Sequence, residues 1–170
     1  MRPKLFVSSI VCSATLLLIA ADASKTGNVT APLAVLTSYD SHAKERAYER
    51  IASPAGWKKT WLNHLGMKED AIFRPAMEVD FSRCEVVAVF EGESWNTCGV
   101  RVDSVTEQDD SVLVRFEGIY YPTHGIPVRS MPFAFVVLPK SQKPITLEKN
   151  EFTGKPPQWR EVARLAANKE

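Results

Sequence analysis

The sequence predicts an α+β fold: a curved, mainly antiparallel β-sheet of about five to six strands, covered by a Trp-rich N-terminal helix and a short C-terminal helix. Three observations predict it. Residues 86–90 read V-V-A-V-F, an unbroken apolar run dense in β-branched residues, which suits a strand buried on both faces. Residues 133–138, F-A-F-V-V-L, form a second run of this kind, so the two are expected to be neighbours in the middle of the sheet. Between Ser53-Pro54 and Gly66, finally, Trp57, Trp61, Leu62 and Leu65 fall at i, i+4, i+5 and i+8, one apolar face of a helix with an N-cap, a first-turn proline and a C′ glycine.

In chain order, residues 1–23 read as a cleaved signal peptide. Arg2 and Lys4 precede a largely apolar run, and Ala21-Asp22-Ala23 has the small-x-small pattern cut by signal peptidase, so cleavage is expected after about Ala23. The expected location is therefore secreted or periplasmic, with no membrane contact after cleavage. Residues 24–44 are polar with no sustained period and read as a poorly ordered lead-in, with at most a weak pairing to the sheet. Residues 45–168 then form a single domain. A short strand is expected over the last half of residues 43–51, ahead of the helix. Residues 85–90 and 99–105 read as a β-hairpin whose loop carries Trp95 and Asn96. A third strand follows at 112–117, where Val112, Val114 and Phe116 alternate with Leu113, Arg115 and Glu117. Residues 118–131 are the longest expected loop, interrupted by Pro122, Gly125 and Pro127. Residues 145–147 are expected at a sheet edge. In 158–167, Trp159, Val162, Ala163 and Ala166 lie at i, i+3, i+4 and i+7, the spacing of the short C-terminal helix.

Charge excludes some functions. With 21 basic against 20 acidic residues the chain is almost neutral, and losing Arg2, Lys4 and Asp22 with the leader equalises the two. No basic run exceeds Lys58-Lys59, so the electrostatic footprint of a nucleic-acid or anionic-membrane binder is absent. Cys84 and Cys98 remain beyond the leader. The hairpin reading sets them about 24 Å apart at about 3.4 Å per residue, far beyond the roughly 7 Å that a disulfide spans. Cys84 is expected to be a buried apolar thiol and Cys98 to lie at the loop rim.

No catalytic motif stands out. Cys98 with His124, oriented by Asp103, has the residue types of a thiol nucleophile and its base, but no nucleophile elbow or helix N-terminus accompanies Cys98. His64 is expected near the helix C-terminus, where a cationic ring meets the dipole favourably. No metal-binding spacing occurs; Glu91, Glu93 and Glu117 read as solvated strand-end charges, and no metal or other cofactor is expected. The better site is an interface. Trp95 and Asn96 in one loop, with Tyr120, Tyr121, His124 and Arg129 in the other, are types enriched at protein contacts.

The order of these signals resembles the C-terminal domain of PrcB-like proteins. The resemblance rests on the S-x-x-x-W-x-x-x-W helix (Ser53, Trp57, Trp61), V-D-F before the apolar strand (Val79, Asp80, Phe81), F-x-G (Phe90, Gly92), G-V-x-V from Gly99 to Val102 and the late P-F (Pro132, Phe133). It covers about residues 45–140 and departs at Cys98-Gly99-Val100, where many members carry Gly-Gly-Tyr. The family is extracytoplasmic and named for an accessory subunit of a bacterial surface protease complex, so the resemblance implies a non-catalytic, protein-binding role. The expected function is thus binding of a protease or other envelope protein through the aromatic loops. The enzymatic alternative is a thiol-dependent or metal-assisted hydrolase at the same rim.

Overall fold

The computed structural model describes residues 27–67, 76–122, 125–151 and 155–167; the expected signal peptide lies outside them. The elements in order are β1 (Asn28–Thr30), β2 (Ala34–Ser38), β3 (Arg46–Ile51), α1 (Pro54–Leu65), β4 (Cys84–Glu91), β5 (Ser94–Trp95), β6 (Thr97–Glu107), β7 (Val112–Tyr120), β8 (Arg129–Ser130), β9 (Phe133–Pro139), β10 (Ile145–Asn150) and β11 (Trp159–Leu165). They form a five-stranded sheet in the order β1-β6-β7-β10-β11, a four-stranded sheet in the order β2-β9-β4-β3, and a small ribbon of β5 and β8.

This overturns the expected α+β fold of one sheet roofed by two helices. The described residues are mostly β, with one helix of 12 residues, and the five-stranded sheet is mixed because β10 runs parallel to β7. The reason lies in β4. Both its faces are dry, as expected, and it lies beside β9 in the middle of its sheet. A strand dry on both faces needs a layer on each side, and one of those layers is a second sheet. Val87 and Val89 of β4, with Ala134, Val136 and Leu138 of β9, enter an aliphatic core shared with Val100, Val114, Phe116, Ile145 and Leu147 of the other sheet. Val86, Ala88 and Phe90, with Phe133, Phe135 and Val137, belong to a separate cluster with Ile51, Phe81 and the helix residues Trp57 and Trp61.

Local signals hold in α1. Ser53 is extended at φ −144° and its Oγ accepts a hydrogen bond from Gly56 N at 3.2 Å. Gly66, left-handed at φ 66°, closes the other end, where Met67 N donates to Leu62 O at 2.9 Å.

Several pairings differ from expectation. Strands β4 and β6 are not a hairpin: β4 pairs with β3 and β9, whereas β6 pairs with β1 and β7 in the other sheet. The separation inferred from that hairpin therefore does not apply, although Cys84 and Cys98 are both free thiols, each half-buried. Residues 145–147 are not at an edge, because β10 lies between β7 and β11. Residues 28–38, within the stretch read as a poorly ordered lead-in, supply one strand to each sheet.

The C-terminal helix expected over 158–167 is instead the edge strand β11. A bulge explains the misleading spacing. Leu147 faces Ala163 and Glu148 faces Glu161, so Val162 is the extra residue, and Val162, Ala163 and Leu165 all pack on the core. Breaking the two-residue period in this way imitates a helical stripe.

One buried ion pair joins the neighbouring strands β3 and β4 of the four-stranded sheet. Glu85 is fully buried, and Arg50 holds it with Nε to Oε2 at 2.7 Å and Nη2 to Oε1 at 2.9 Å. The remaining guanidinium hydrogens reach the carbonyls of Ser141, Lys143 and Ala166, so the pair carries its own hydrogen-bond shell.

Candidate functional site

The chain passes from one sheet to the other through β5, and this crossing builds a rim. Leaving β4, it turns at Gly92, at φ 73°, where a Cβ would sit 2.8 Å from Arg46 N; a side chain fits neither the conformation nor the space. Glu93 N then donates to Lys44 O at 2.9 Å. Strand β5 pairs with β8, setting Ser94 opposite Ser130 and Trp95 opposite Arg129.

Asn96 is the knot. Its φ of 57° is left-handed, a conformation that asparagine tolerates better than most residues. Its N–H donates to Val128 O at 2.9 Å, its Oδ1 accepts from Val128 N at 2.9 Å, and its carbonyl accepts from Tyr121 N at 3.1 Å. Beneath it, the Ser94 and Thr97 hydroxyls lie 2.8 Å apart, and Thr97 and Ser130 are buried. Thr97 is also paired with Tyr120, which brings in the end of β7.

With its backbone groups bonded inside the rim, the apolar side chains are left outside. Trp95 is 54 % exposed, Tyr120 55 %, Val128 44 % and Ile126 88 %. The Tyr120 ring lies back over Gly118, where a Cβ would come within 3.2 Å of it. Arg129 is exposed and meets Glu93 at 3.4 Å, a solvent-screened pair of little energetic weight. Tyr121 is half-buried. The structure thus brings together Trp95, Asn96, Tyr120, Tyr121 and Arg129; His124 lies outside the described residues.

Sequence reasoning missed Tyr39, which is 50 % exposed and whose carbonyl accepts from Met131 N, next to β8, at 2.8 Å. Its signal in the sequence is weak, a lone aromatic in a polar stretch. It also missed the role of Asn96 as the tie between two loops, for which an asparagine between Trp95 and Thr97, a residue type that tolerates left-handed backbone, was the available clue.

The alternative chemistries are not assembled by the described residues. Cys98 and Asp103 are both on β6, about 17 Å apart at the extended rise, so Asp103 is out of reach of an imidazole beside Cys98. Each carboxylate considered for a cation has another partner. Glu91 bonds Lys149 Nζ and accepts from Tyr48 Oη at 3.1 Å, Glu93 meets Arg129, and Glu117 bonds Arg101 and Asn150. Among the described residues no three His, Cys, Asp or Glu side chains come together as a metal site. Burial first, then the Glu91 carboxylate, push the Tyr48 phenol far above its ordinary value, so it is the hydrogen donor to Glu91.

His64 is not the solvated helix-end cation that the sequence suggested. It is 5 % exposed and walled by aromatic rings, and burial, acting before any charge, pulls its pKa below the ordinary histidine value. A groove of about 730 Å³ between α1 and residues 76–81, lined by Trp57, Met77 and Phe81 among others, shares no residue with the rim. No helix among the described residues is long and apolar enough to cross a membrane.

The residues behind the PrcB-like resemblance are divided between the sheets: Ser53 caps α1, Trp57, Trp61, Phe81, Phe90 and Phe133 pack on the helix-side face of the four-stranded sheet, Asp80 Oδ1 accepts from Ser82 N at 3.0 Å in the turn that enters β4, and Gly99 to Val102 lie on β6 of the other sheet. No family model, curated protein or solved structure matches this chain, and the resemblance therefore stands on those motif residues alone.

Proposed function

We propose that this chain is an extracytoplasmic, non-catalytic protein-binding domain that holds its partner at the rim of Trp95, Asn96, Tyr120, Tyr121 and Arg129, with Ile126 and Val128 extending the apolar area. His124 belongs to the same loop by sequence. The observation that carries the reading is the pairing of a rim closed by Asn96 with large side chains left half or more exposed upon it. A platform fixed beforehand loses little conformational freedom on binding, and Trp, Tyr and Arg are the types that dominate contact energies. The apolar leader supports a location beyond the inner membrane, and the PrcB-like resemblance suggests a protease or another envelope protein as the partner class.

The test is equilibrium binding of the partner recovered on the immobilised mature chain. Trp95→Ala and Tyr120→Ala are each expected to weaken it roughly 30-fold, the equivalent of about 2 kcal/mol at a contact hot spot. Each is also expected to keep the wild-type unfolding midpoint. Undiminished affinity in both variants would refute the assignment.

A further inference from the structure

The ring of His64 lies 4.1 Å from that of Phe133 and 5.3 Å from that of Phe135, with Trp61 and Phe90 also around it. Its Nδ1 is 3.1 Å from Ser41 Oγ, and Ser41 is 1 % exposed. The same oxygen accepts from Ala43 N at 3.1 Å. That bond occupies one of the two lone pairs of the hydroxyl oxygen, and its hydrogen can be given to Nδ1 when that is the unprotonated nitrogen of a neutral ring.

Ser41 lies in a strip held from two sides. On the helix side, His42 N donates to His64 O at 2.8 Å, and the His42 ring lies so close to Gly66 that a Cβ there would come within 2.6 Å. On the other side, Ser41 N donates to Met131 O at 3.2 Å, Met131 N donates to Tyr39 O at 2.8 Å, and Asp40 bridges to Met131. Met131 directly follows β8, whose Arg129 is paired with Trp95. A continuous run of contacts therefore joins His64 to the rim.

We propose that Nδ1 of the neutral His64 ring accepts from the Ser41 hydroxyl and that the ring is thereby a pH-sensitive latch beneath the rim: a proton taken up at Nδ1 ends that acceptance, loosens residues 39–42 from α1 and Met131, and lets β8 and Trp95 shift. Protonated, the ring offers Ser41 a donor instead of an acceptor. The hydroxyl hydrogen is then displaced into a buried position, and a charge is left within an aromatic box. Among the described residues the groups facing the ring are few. Asp40 favours the proton and His42 opposes it, while β4 and β9 present only Phe90, Phe133 and Phe135; burial outweighs the charges.

The sign follows. Because the folded ring binds its proton less readily than the unfolded one, whose value is about 6.5, the unfolded state carries more protons just below that pH. Stability is full above it and declines as pH falls from there toward the folded value. This device does not depend on whether the rim holds a partner.

Nuclear magnetic resonance of the mature chain, from about pH 7.5 to about pH 5, reads the latch directly. The amide signals of Ser41 and Met131 and the indole signal of Trp95 are expected to move with the midpoint of the His64 ring. His64→Gln removes this common midpoint, whereas His42→Asn retains it. Should His64→Gln not fold, Ser41→Ala leaves the ring titrating but abolishes the accompanying movement at Met131 and Trp95. Met131 and Trp95 signals that stay fixed while His64 titrates, or a His64 midpoint at or above the ordinary value, would overturn the proposal.

Discussion

The helix-side cluster and the rim use the same kinds of side chain to opposite ends. Trp57 and Trp61 are 5 % and 8 % exposed, against Phe135 with ring centroids 4.9 and 5.7 Å away, whereas Trp95 is 54 % exposed. Aromatic content does not separate the two regions. In the cluster, regular elements aim side chains at a shared layer: α1 sends its tryptophans down, and β4 and β9 send every second residue up. In the rim, paired strands of only two residues are bonded to each other and to Asn96, and the side chains turned inward are the small Thr97 and Ser130, so Trp95 and Tyr120 stay outside. Exposure at the rim is a consequence of backbone satisfied locally.

That contrast is most open to attack at Phe135. Phe135→Ala removes the fully buried ring shared by Trp57, Trp61, His64, Phe90 and Phe133, and is expected to cost about 3–5 kcal/mol in urea unfolding. A loss below about 1 kcal/mol would mean that the cluster is loosely packed and differs little from the rim. Arg50→Ala sets a polar anchor beside that apolar one. It takes the cation away from the buried Glu85 carboxylate, which keeps the Ser141 N–H at 3.2 Å, and is expected to destabilise by about 3 kcal/mol, while replacing both partners with apolar residues costs much less.

Smaller effects sharpen the comparison. Ser53→Ala removes the cap of the helix that carries both buried tryptophans, and a loss of about 1 kcal/mol is expected in thermal or urea unfolding. Trp95→Ala should sit at the bottom of the series, within about 0.5 kcal/mol of wild type. A large destabilisation by Trp95→Ala would show that this ring is holding the fold together.

How much of this was legible follows the same division. The dry strands at 86–90 and 133–138 and their pairing could be read because continuous β-branched and aromatic runs have few other uses. The ends of α1 were equally plain, since Ser53 and Gly66 act through local backbone geometry. Partner choice was not legible. The 85–90 and 99–105 stretches follow one another in sequence, yet β6 takes β7 across the tight turn where Gln108 N meets Ser111 O at 2.8 Å, and β4 takes β9. The second sheet went unseen because the alternation of Val112, Val114 and Phe116 says that one face is dry without saying what covers it. Val162 hid β11, since the bulge breaks the two-residue period of that strand and can be told from a helical stripe only once its partner strand is known.

For the proposed interface, Trp95, Tyr120 and Arg129 were legible as residue types, and their placement on one rim depends on Asn96 bonding across 32 positions of sequence. A single residue carries no such reach on its face. Tyr39 was lost for the converse reason, because it joins the rim through its carbonyl and not through its side chain.

Hydroxyl-radical footprinting of residues 24–170, alone and saturated with a protein recovered on that chain, tests the proposed contact at the rim most directly. The account predicts that Trp95 and Tyr120 are modified in the free chain and protected in the complex, while Trp57 and Trp61 stay silent in both. Full modification of Trp95 and Tyr120 at saturating partner would contradict it.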